Sequence, residues 1–195
     1  MADRFLIVGL GNPGKDYEGT RHKIGFASLE ALARRHSLHF RHKMQWRSLV
    51  AQGQIGGADV VLLMPLTFMN LSGEAVAPIA RFLNVGLSRL LVVVDDVALP
   101  VGQLRMRSFG GSGGHNGLKS VAAHLQTQSF LRLRVGVGDR AEGDLVSHVL
   151  GRFSEEEEKL VPKILERAAV AIELWLEKGL NHAMEFANQK ETDST

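Results

Sequence analysis

Uncharged and titratable side chains that could act together on a substrate recur in the segments between the predicted strands and helices. The set comprises Asn12, His22, Phe68-Met69-Asn70, Asp95 and His115-Asn116. A neutral imidazole can take a proton from water, a carboxylate can orient that imidazole, and amides can donate hydrogen bonds to a developing oxyanion. The set therefore favours acid-base chemistry that needs neither a nucleophilic side chain nor a metal ion.

The segments that carry these residues alternate between strand and helix patterns. Apolar runs and alternation predict strands at 4–8, 47–55, 59–64, 90–94, 104–107 and 132–137. Apolar spacing of three and four predicts four helices. Two of them span 23–36 and 118–125, and a third begins at Ser72, its N-cap. The fourth begins at a capping box of Ser154 and Glu157 and ends at Gly179, and Pro162 either kinks this helix or separates its first turn. This order predicts an α/β fold, a three-layer α/β/α sandwich with a mixed, mostly parallel sheet. The run 90–94 delivers Asp95 at the carboxyl end of a strand, where open sheets bind ligands.

Length and composition are those of an ordinary folded protein. The 195 residues, 45% hydrophobic and 23% charged, predict one domain over 1–189 and a polar, disordered tail over 190–195. The absence of cysteine excludes disulfides, thiolate metal sites and a thiol nucleophile, and suits a reducing cytoplasm. No signal peptide is predicted, and the apolar runs are far shorter than the ~20 residues of a membrane span.

Charge is unevenly distributed along the chain. Residues 1–153 carry seven more basic than acidic residues, whereas residues 154–195 carry five more acidic than basic ones. A basic body of this kind indicates a polyanionic partner.

A glycine motif near the start offers one alternative chemistry. Gly9, Gly11 and Gly14 have the spacing of a dinucleotide-binding loop, but Pro13 and a polar stretch delay the helix that would hold a pyrophosphate. We interpret these glycines as turn residues that expose Asn12.

Two further patterns offer a nucleophile and a metal site. The run GGSGG presents Ser112 as a hydrolase nucleophile, with Asp139 or Asp144 and His148 as partners, but the preceding RMRSFGG is too polar for a nucleophile elbow. His36, His39 and His42 lie three apart, but basic neighbours would repel a cation and no carboxylate joins them. Neither a metal nor another cofactor is therefore predicted.

Four motifs, in this order, resemble bacterial peptidyl-tRNA hydrolases. They are VGLGNPGKDYEGTRHKIGF, PLTFMNLSG, VVVDDVALPVG and GGSGGHNGLKS, and with a later strand and the last helix the likeness covers about residues 4–188. The resemblance implies a monomeric, metal-free, cytoplasmic enzyme that cuts the ester between a peptide and the 3′ end of its tRNA.

The resemblance also implies roles for individual residues. His22 matches the family's catalytic base, Asp95 its partner carboxylate, and Asn12 the residue that distinguishes blocked from free aminoacyl-tRNA. The positions that match contacts with the tRNA end, or line the same cleft, are Tyr17, Phe68, Met69, Asn70, His115 and Asn116. The chain departs from the family's usual residues at Val94, Ala98 and Ser112, and these departures remove no catalytic group.

A polyanionic substrate accounts for the basic body. Arg105, Arg107, Arg132 and Arg134 alternate along two predicted strands, so each pair shares a face, and we expect them to contact tRNA phosphates. Two other functions stay open at this point, a noncatalytic RNA-binding protein on the same fold and a serine esterase.

Overall fold

The structure, a computed structural model, describes residues 3–139 and 144–190. Its strands are β1 (Arg4–Gly9), β2 (Arg41–Lys43), β3 (Ser48–Ile55), β4 (Ala58–Pro65), β5 (Leu90–Asp96), β6 (Leu104–Arg107) and β7 (Leu131–Gly136). Its helices are α1 (Ile24–Arg35), α2 (Ser72–Phe82), α3 (Asn116–Leu125), α4 (Leu145–Leu150), α5 (Glu155–Glu158), α6 (Val161–Lys178) and α7 (Leu180–Asn188).

The described strands form one sheet in the order β2-β3-β4-β1-β5-β7-β6. The four central strands β4, β1, β5 and β7 are mutually parallel, and the pairs β2-β3, β3-β4 and β6-β7 are antiparallel. The carboxyl ends of the parallel strands therefore meet at one edge. The α/β prediction is confirmed, with the parallel arrangement confined to the four central strands.

The sheet has a helical layer on each face because its central strands are apolar on both sides. In β5, Leu91 and Val93 belong to one buried cluster, and Val92 and Val94 belong to the other. Helices α1 and α6 supply the first cluster, and α2 and α3 supply the second. Alternation along a strand sends successive side chains to opposite faces, so such a strand must be covered twice.

Local turn chemistry fixes the hairpin between β3 and β4. Gly56 and Gly57 have φ values of 57° and 81°, which a tight hairpin requires at both central residues. The predicted hairpin at this dipeptide is therefore present.

Several local predictions need correction. Ser72 is the first residue of α2 rather than its N-cap, since its hydroxyl donates to the carbonyl of Met69. The Ser154 capping box is present but opens only the short α5, so one continuous helix to Gly179 is wrong; the predicted alternative, in which a first turn is separated at Pro162, is confirmed, since Pro162 lies in the first turn of α6. Of the three glycines of the motif, only Gly14 has a positive φ, 103°, so the prediction that they serve as turn residues is supported at Gly14 and not at Gly9 or Gly11.

No helix among the described residues is both long enough and apolar enough to cross a membrane. The predicted tail, from residue 191 onward, lies outside the described residues. The single domain over 1–189 stays a prediction.

Candidate active site

His22 lies in a 3₁₀ turn, Arg21–Lys23, that leads into α1. This turn reaches the sheet because α1 packs tightly against the ends of β1 and β5. A Cβ atom on Gly25 would lie only 2.6 Å from the carbonyl oxygen of Val93, and one on Gly9 would overlap the carbonyl oxygen of Gly25. Glycine at these two positions therefore lets the helix approach the strands and brings His22 to the end of β5.

Asp95, at that end of β5, is buried between two histidine rings. Its Oδ2 accepts a hydrogen bond from Nδ1 of His22 at 2.8 Å, and its Oδ1 accepts one from Nε2 of His115 at 2.8 Å. Burial alone raises the pKa of Asp95, but attraction to His115 and hydrogen bonds from both rings outweigh it and hold the pKa well below its ordinary value. The carboxylate is therefore ionised and accepts from both imidazoles.

His115 is held in one tautomer by the backbone of α3. Its Nδ1 accepts hydrogen bonds from the N–H groups of Gly117 and Leu118, at 3.1 and 3.3 Å, and so caps the helix. A nitrogen that accepts hydrogen bonds carries no proton, so the proton of this ring is on Nε2 and is donated to Asp95. Both nitrogens are thus occupied and His115 supports Asp95, whereas its predicted contact with substrate stays a prediction.

His22 is arranged differently. Its Nδ1–H is donated to Asp95, and Nε2 makes no hydrogen bond within the described parts of the chain. The ring lines a cavity of about 90 Å³ together with Asp95, His115 and Asn116. A cavity of this size with polar walls can hold ordered water. A free imidazole lone pair beside such a space is suited to accept a proton.

Part of the lining of this cavity comes from α4, which sequence reasoning missed. Leu145, Val146 and Val149 line the cavity and give the site one apolar side. Their spacing of three and four residues is a helical pattern that the sequence offered.

Three predicted asparagines present amide groups near this edge of the sheet. Oδ1 of Asn12 accepts a hydrogen bond from the backbone N–H of Met69 at 2.8 Å, which leaves the amide N–H₂ of Asn12 without a partner in the described chain. The exposed side chains of Asn70 and Asn116 make no hydrogen bond there either. These amides are therefore available to donate to a ligand.

Met69, Phe68 and Tyr17, which the sequence predicts near the substrate, differ in their burial and position. Met69 is buried, and its sulfur lies against the backbone of Gly117. Phe68 is 56% exposed, and Tyr17 is half-buried in a separate 3₁₀ turn. Neither ring lines the small cavity beside His22, so their contacts with a substrate stay predictions.

The four predicted phosphate-binding arginines differ in their surroundings. Arg105 faces Arg134, and Arg107 faces Arg132, across β6 and β7. Arg105 and Arg107 make no side-chain hydrogen bond in the described chain, whereas Arg134 donates to the carbonyl of Gly111. The two arginines of β6 are thus the free cations of this group.

Arg132 needs a correction. It is 2% exposed, and its guanidinium donates to the carbonyls of Gly110 and Gln128 at 2.6 and 2.7 Å. Burial and the neighbouring charge of Arg134 lower its pKa to about 10. Its hydrogen bonds stabilise the glycine-rich loop, and the structure does not support a phosphate contact for it.

Two imidazoles and a carboxylate are also ligand types that metal ions use in proteins. Among the described residues, His22, Asp95 and His115 form the one group whose possible ligand atoms lie within 4.8 Å of one another. For His115 to bind an ion through Nε2, its proton would have to move to Nδ1, toward which two backbone N–H groups point. The donor set therefore fits a hydrogen-bonded relay better than a metal ion.

The other motifs are not assembled into sites. The Ser112 hydroxyl accepts a hydrogen bond from the N–H of Gly114, and Nε2 of His148 bonds to the carbonyl of Gly138, so no serine-histidine pair forms. His36 pairs with Glu173 on α6, whereas His42 lies in β2. These arrangements argue against both the serine esterase and the histidine metal site.

Comparisons with known proteins agree on one family. The family model described as peptidyl-tRNA hydrolase matches residues 6–195. A relative named peptidyl-tRNA hydrolase from Caldanaerobacter subterraneus subsp. tengcongensis is 46% identical, and one from Shouchella clausii is 47% identical; each alignment covers 94% of this chain and 99% of the relative. A crystal structure of peptidyl-tRNA hydrolase from Acinetobacter baumannii is 34% identical, with a TM-score of 0.90 and 96% of each chain covered.

Proposed function

This chain belongs to the peptidyl-tRNA hydrolase family, and on that premise we propose that it cleaves the ester between an N-blocked amino acid and the 3′ end of tRNA with a water molecule activated by His22. Members of the family are ester hydrolases that act on peptidyl-tRNA. The observation that carries the proposed mechanism is the 2.8 Å contact of Nδ1 of His22 with Asp95, which leaves Nε2 free beside the cavity.

The chemical step begins with the neutral His22 ring. Nε2 takes a proton from water as the water oxygen attacks the ester carbonyl, and Asp95 stabilises the imidazolium that forms. The tetrahedral intermediate then expels the ribose oxygen, which receives the proton from Nε2. The products are a free peptide acid and tRNA, and the enzyme is restored.

The asparagine amides supply hydrogen bonds for this step. We assign Asn12, Asn70 and Asn116 to orient the peptide carbonyl and the hydroxyls of the terminal ribose. Because Oδ1 of Asn12 is already bound to the backbone of Met69, only its N–H₂ can face the substrate. A fixed donor of this kind selects a carbonyl acceptor, which suits a blocked amino acid better than a free, protonated amine.

The direct test is release of N-acetylated amino acid from tRNA by the purified protein in buffer with EDTA. Because the proposed water activation uses only side chains of this chain, turnover is expected to be the same with EDTA and without it. Unacylated tRNA and the free N-acetylated amino acid are the products to be measured. Loss of turnover in EDTA that added metal restores would contradict the mechanism, and no release under any condition would favour a noncatalytic RNA-binding protein.

The acceptor arm is proposed to meet the free cations of β6. Each phosphate neutralised by a cation releases counterions, so KM is expected to rise steeply with salt, with a slope of about 0.7 to 0.9 per contact on logarithmic axes. Replacing Arg105 and Arg107 with glutamine should lower that slope by about 1 to 2. The matched control is Arg34→Gln, an exposed cation on α1. A KM that does not depend on salt would contradict the proposed contacts.

We propose that the protein acts in the cytoplasm. A chain without cysteine has no thiol to be oxidised, and the family resemblance implies action as a monomer in the cytoplasm.

A further inference from the structure

Arg21, the residue before His22, is a largely buried cation that the proposed mechanism does not use. Its side chain is 11% exposed and lies over the ring of Phe153, with the guanidinium carbon 4.9 Å from the ring centroid. Removing a charge from water is costly unless partners compensate it. The hydrogen-bond partners of Arg21 therefore indicate its role in the structure.

Its principal partner is Glu157, in the short helix α5. The two guanidinium nitrogens of Arg21 donate to the two carboxylate oxygens of Glu157 at 2.6 and 3.2 Å. Glu157 also accepts a hydrogen bond from the backbone N–H of Ser154 at 2.8 Å, as the second half of the capping box. The hydrogen bond from Ser154 thus holds the Glu157 carboxylate in place, and the two parallel hydrogen bonds from Arg21 fix the orientation of the guanidinium.

A second contact connects Arg21 to the strand side of the site. The guanidinium donates to the carbonyl of Val137 at 2.7 Å, and the N–H of Val137 donates to the carbonyl of Asp96 at 3.1 Å. Asp96 directly follows Asp95 in β5. One side chain therefore connects the turn that carries His22 with the strand end that carries Asp95.

The backbone of the same turn is tied to the segment that follows α4. The N–H of Arg21 donates to the carbonyl of Gly151 at 3.0 Å, and Thr20 forms an isolated bridge with Arg152. Helix α4 supplies the apolar wall of the cavity. Arg21 therefore contacts or adjoins the three segments that carry the base His22, the carboxylate Asp95 and the apolar lining from α4.

We propose that Arg21, fixed by Glu157, is a positioning residue that sets the orientation of His22 toward Asp95. The proposal rests on the proposed function, because it assumes that His22 is the base. Arg21 acts through His22 and does not touch the substrate. A displacement of a base by about 1 Å can cost about a hundredfold in rate.

The test compares Arg21→Lys and Glu157→Gln with the wild-type protein. Lysine keeps the charge but cannot donate to both carboxylate oxygens and Val137 in the same plane, and glutamine keeps an acceptor but removes the charge. We expect kcat per folded enzyme to fall about tenfold to a hundredfold in Arg21→Lys and less in Glu157→Gln, with little change in KM for the tRNA substrate. The NMR signal of the Nδ1 proton of His22 should broaden or shift in both variants.

A matched control is available on the neighbouring surface. Arg35, the last residue of α1, pairs with Glu173 of α6 at 2.9 Å, at the end of α1 opposite to the turn that carries His22. Arg35→Lys should leave kcat within about twofold, since lysine keeps the charge of this ion pair and the pair has no contact with His22 or Asp95. His22→Asn is measured beside these variants.

The outcomes separate the two proposals. Full activity of His22→Asn would overturn the general-base assignment. An inactive His22→Asn together with wild-type kcat in both Arg21→Lys and Glu157→Gln would overturn the positioning role alone, even if both variants melt at lower temperature. A fall in kcat with an unchanged KM and an altered Nδ1 signal supports it.

Discussion

Replacing His22 with asparagine is expected to lower kcat by about 10²- to 10⁴-fold while the protein keeps its fold. The Asn side chain can still donate an N–H to Asp95 from nearly the place of Nδ1, so the buried carboxylate keeps a donor. What the variant loses is Nε2, the one ring nitrogen of His22 without a partner in the described chain. The measurement is kcat and KM on N-acetylated aminoacyl-tRNA, with thermal unfolding followed in parallel.

The matched control for His22→Asn is the same substitution at an exposed histidine. His39 is exposed and makes no side-chain hydrogen bond in the described chain, so His39→Asn controls for loss of a histidine as such. If His22→Asn retained wild-type kcat while His39→Asn behaved identically, water activation by His22 would be excluded. A His22→Asn variant that binds tRNA normally but releases N-acetylated amino acid about 10²- to 10⁴-fold more slowly than the wild type is the expected result.

Replacing Asp95 with asparagine is expected to lower kcat by about 10³- to 10⁴-fold, because it imposes the wrong tautomer on His22. The amide has one acceptor, its oxygen, where the carboxylate has two. His115 must donate from Nε2, since its Nδ1 is held by two backbone N–H groups. The amide oxygen therefore faces His115, and the amide N–H₂ faces His22.

The consequence for His22 follows from the proton positions. An N–H₂ group opposite Nδ1 requires a lone pair there, so the ring's proton moves to Nε2, which can then no longer accept one from water. NMR of the imidazole nitrogens should report this exchange directly, with the proton on Nδ1 in the wild type and on Nε2 in Asp95→Asn. A variant with unchanged tautomer and unchanged kcat would show that Asp95 does not orient His22.

Much of the architecture is present in local sequence patterns. The run 90–94 is apolar at every position, which predicts a strand covered on both faces, and Gly56-Gly57 predicts the hairpin that the structure contains. Motif resemblance also singled out His22 and Asp95, which the structure brings to 2.8 Å. These predictions succeed because each depends on neighbours a few residues away, or on motifs long enough to identify a family.

The sequence did not predict the hydrogen-bond partners of the candidate site residues. Arg132 and Arg107 occupy the same kind of alternating basic pattern, but Arg132 is buried against loop carbonyls and Arg107 is exposed. Arg132 lies in β7, whose other edge pairs with β5, and Arg107 lies in β6, at the end of the sheet. Only the position of each strand in the sheet separates the two roles.

The sequence by itself determined the layered fold, the edge of the sheet where the site lies and the residue types that could do its chemistry. Tertiary structure decided the protonation pattern, because His22, Asp95 and His115 come from three distant segments whose approach depends on close packing at Gly9 and Gly25 and on the N-terminus of α3. It also decided that Arg21 and Glu157 meet. Proton positions and ion pairs are set by distances of a few tenths of an ångström between segments, and no pattern within one segment encodes such distances.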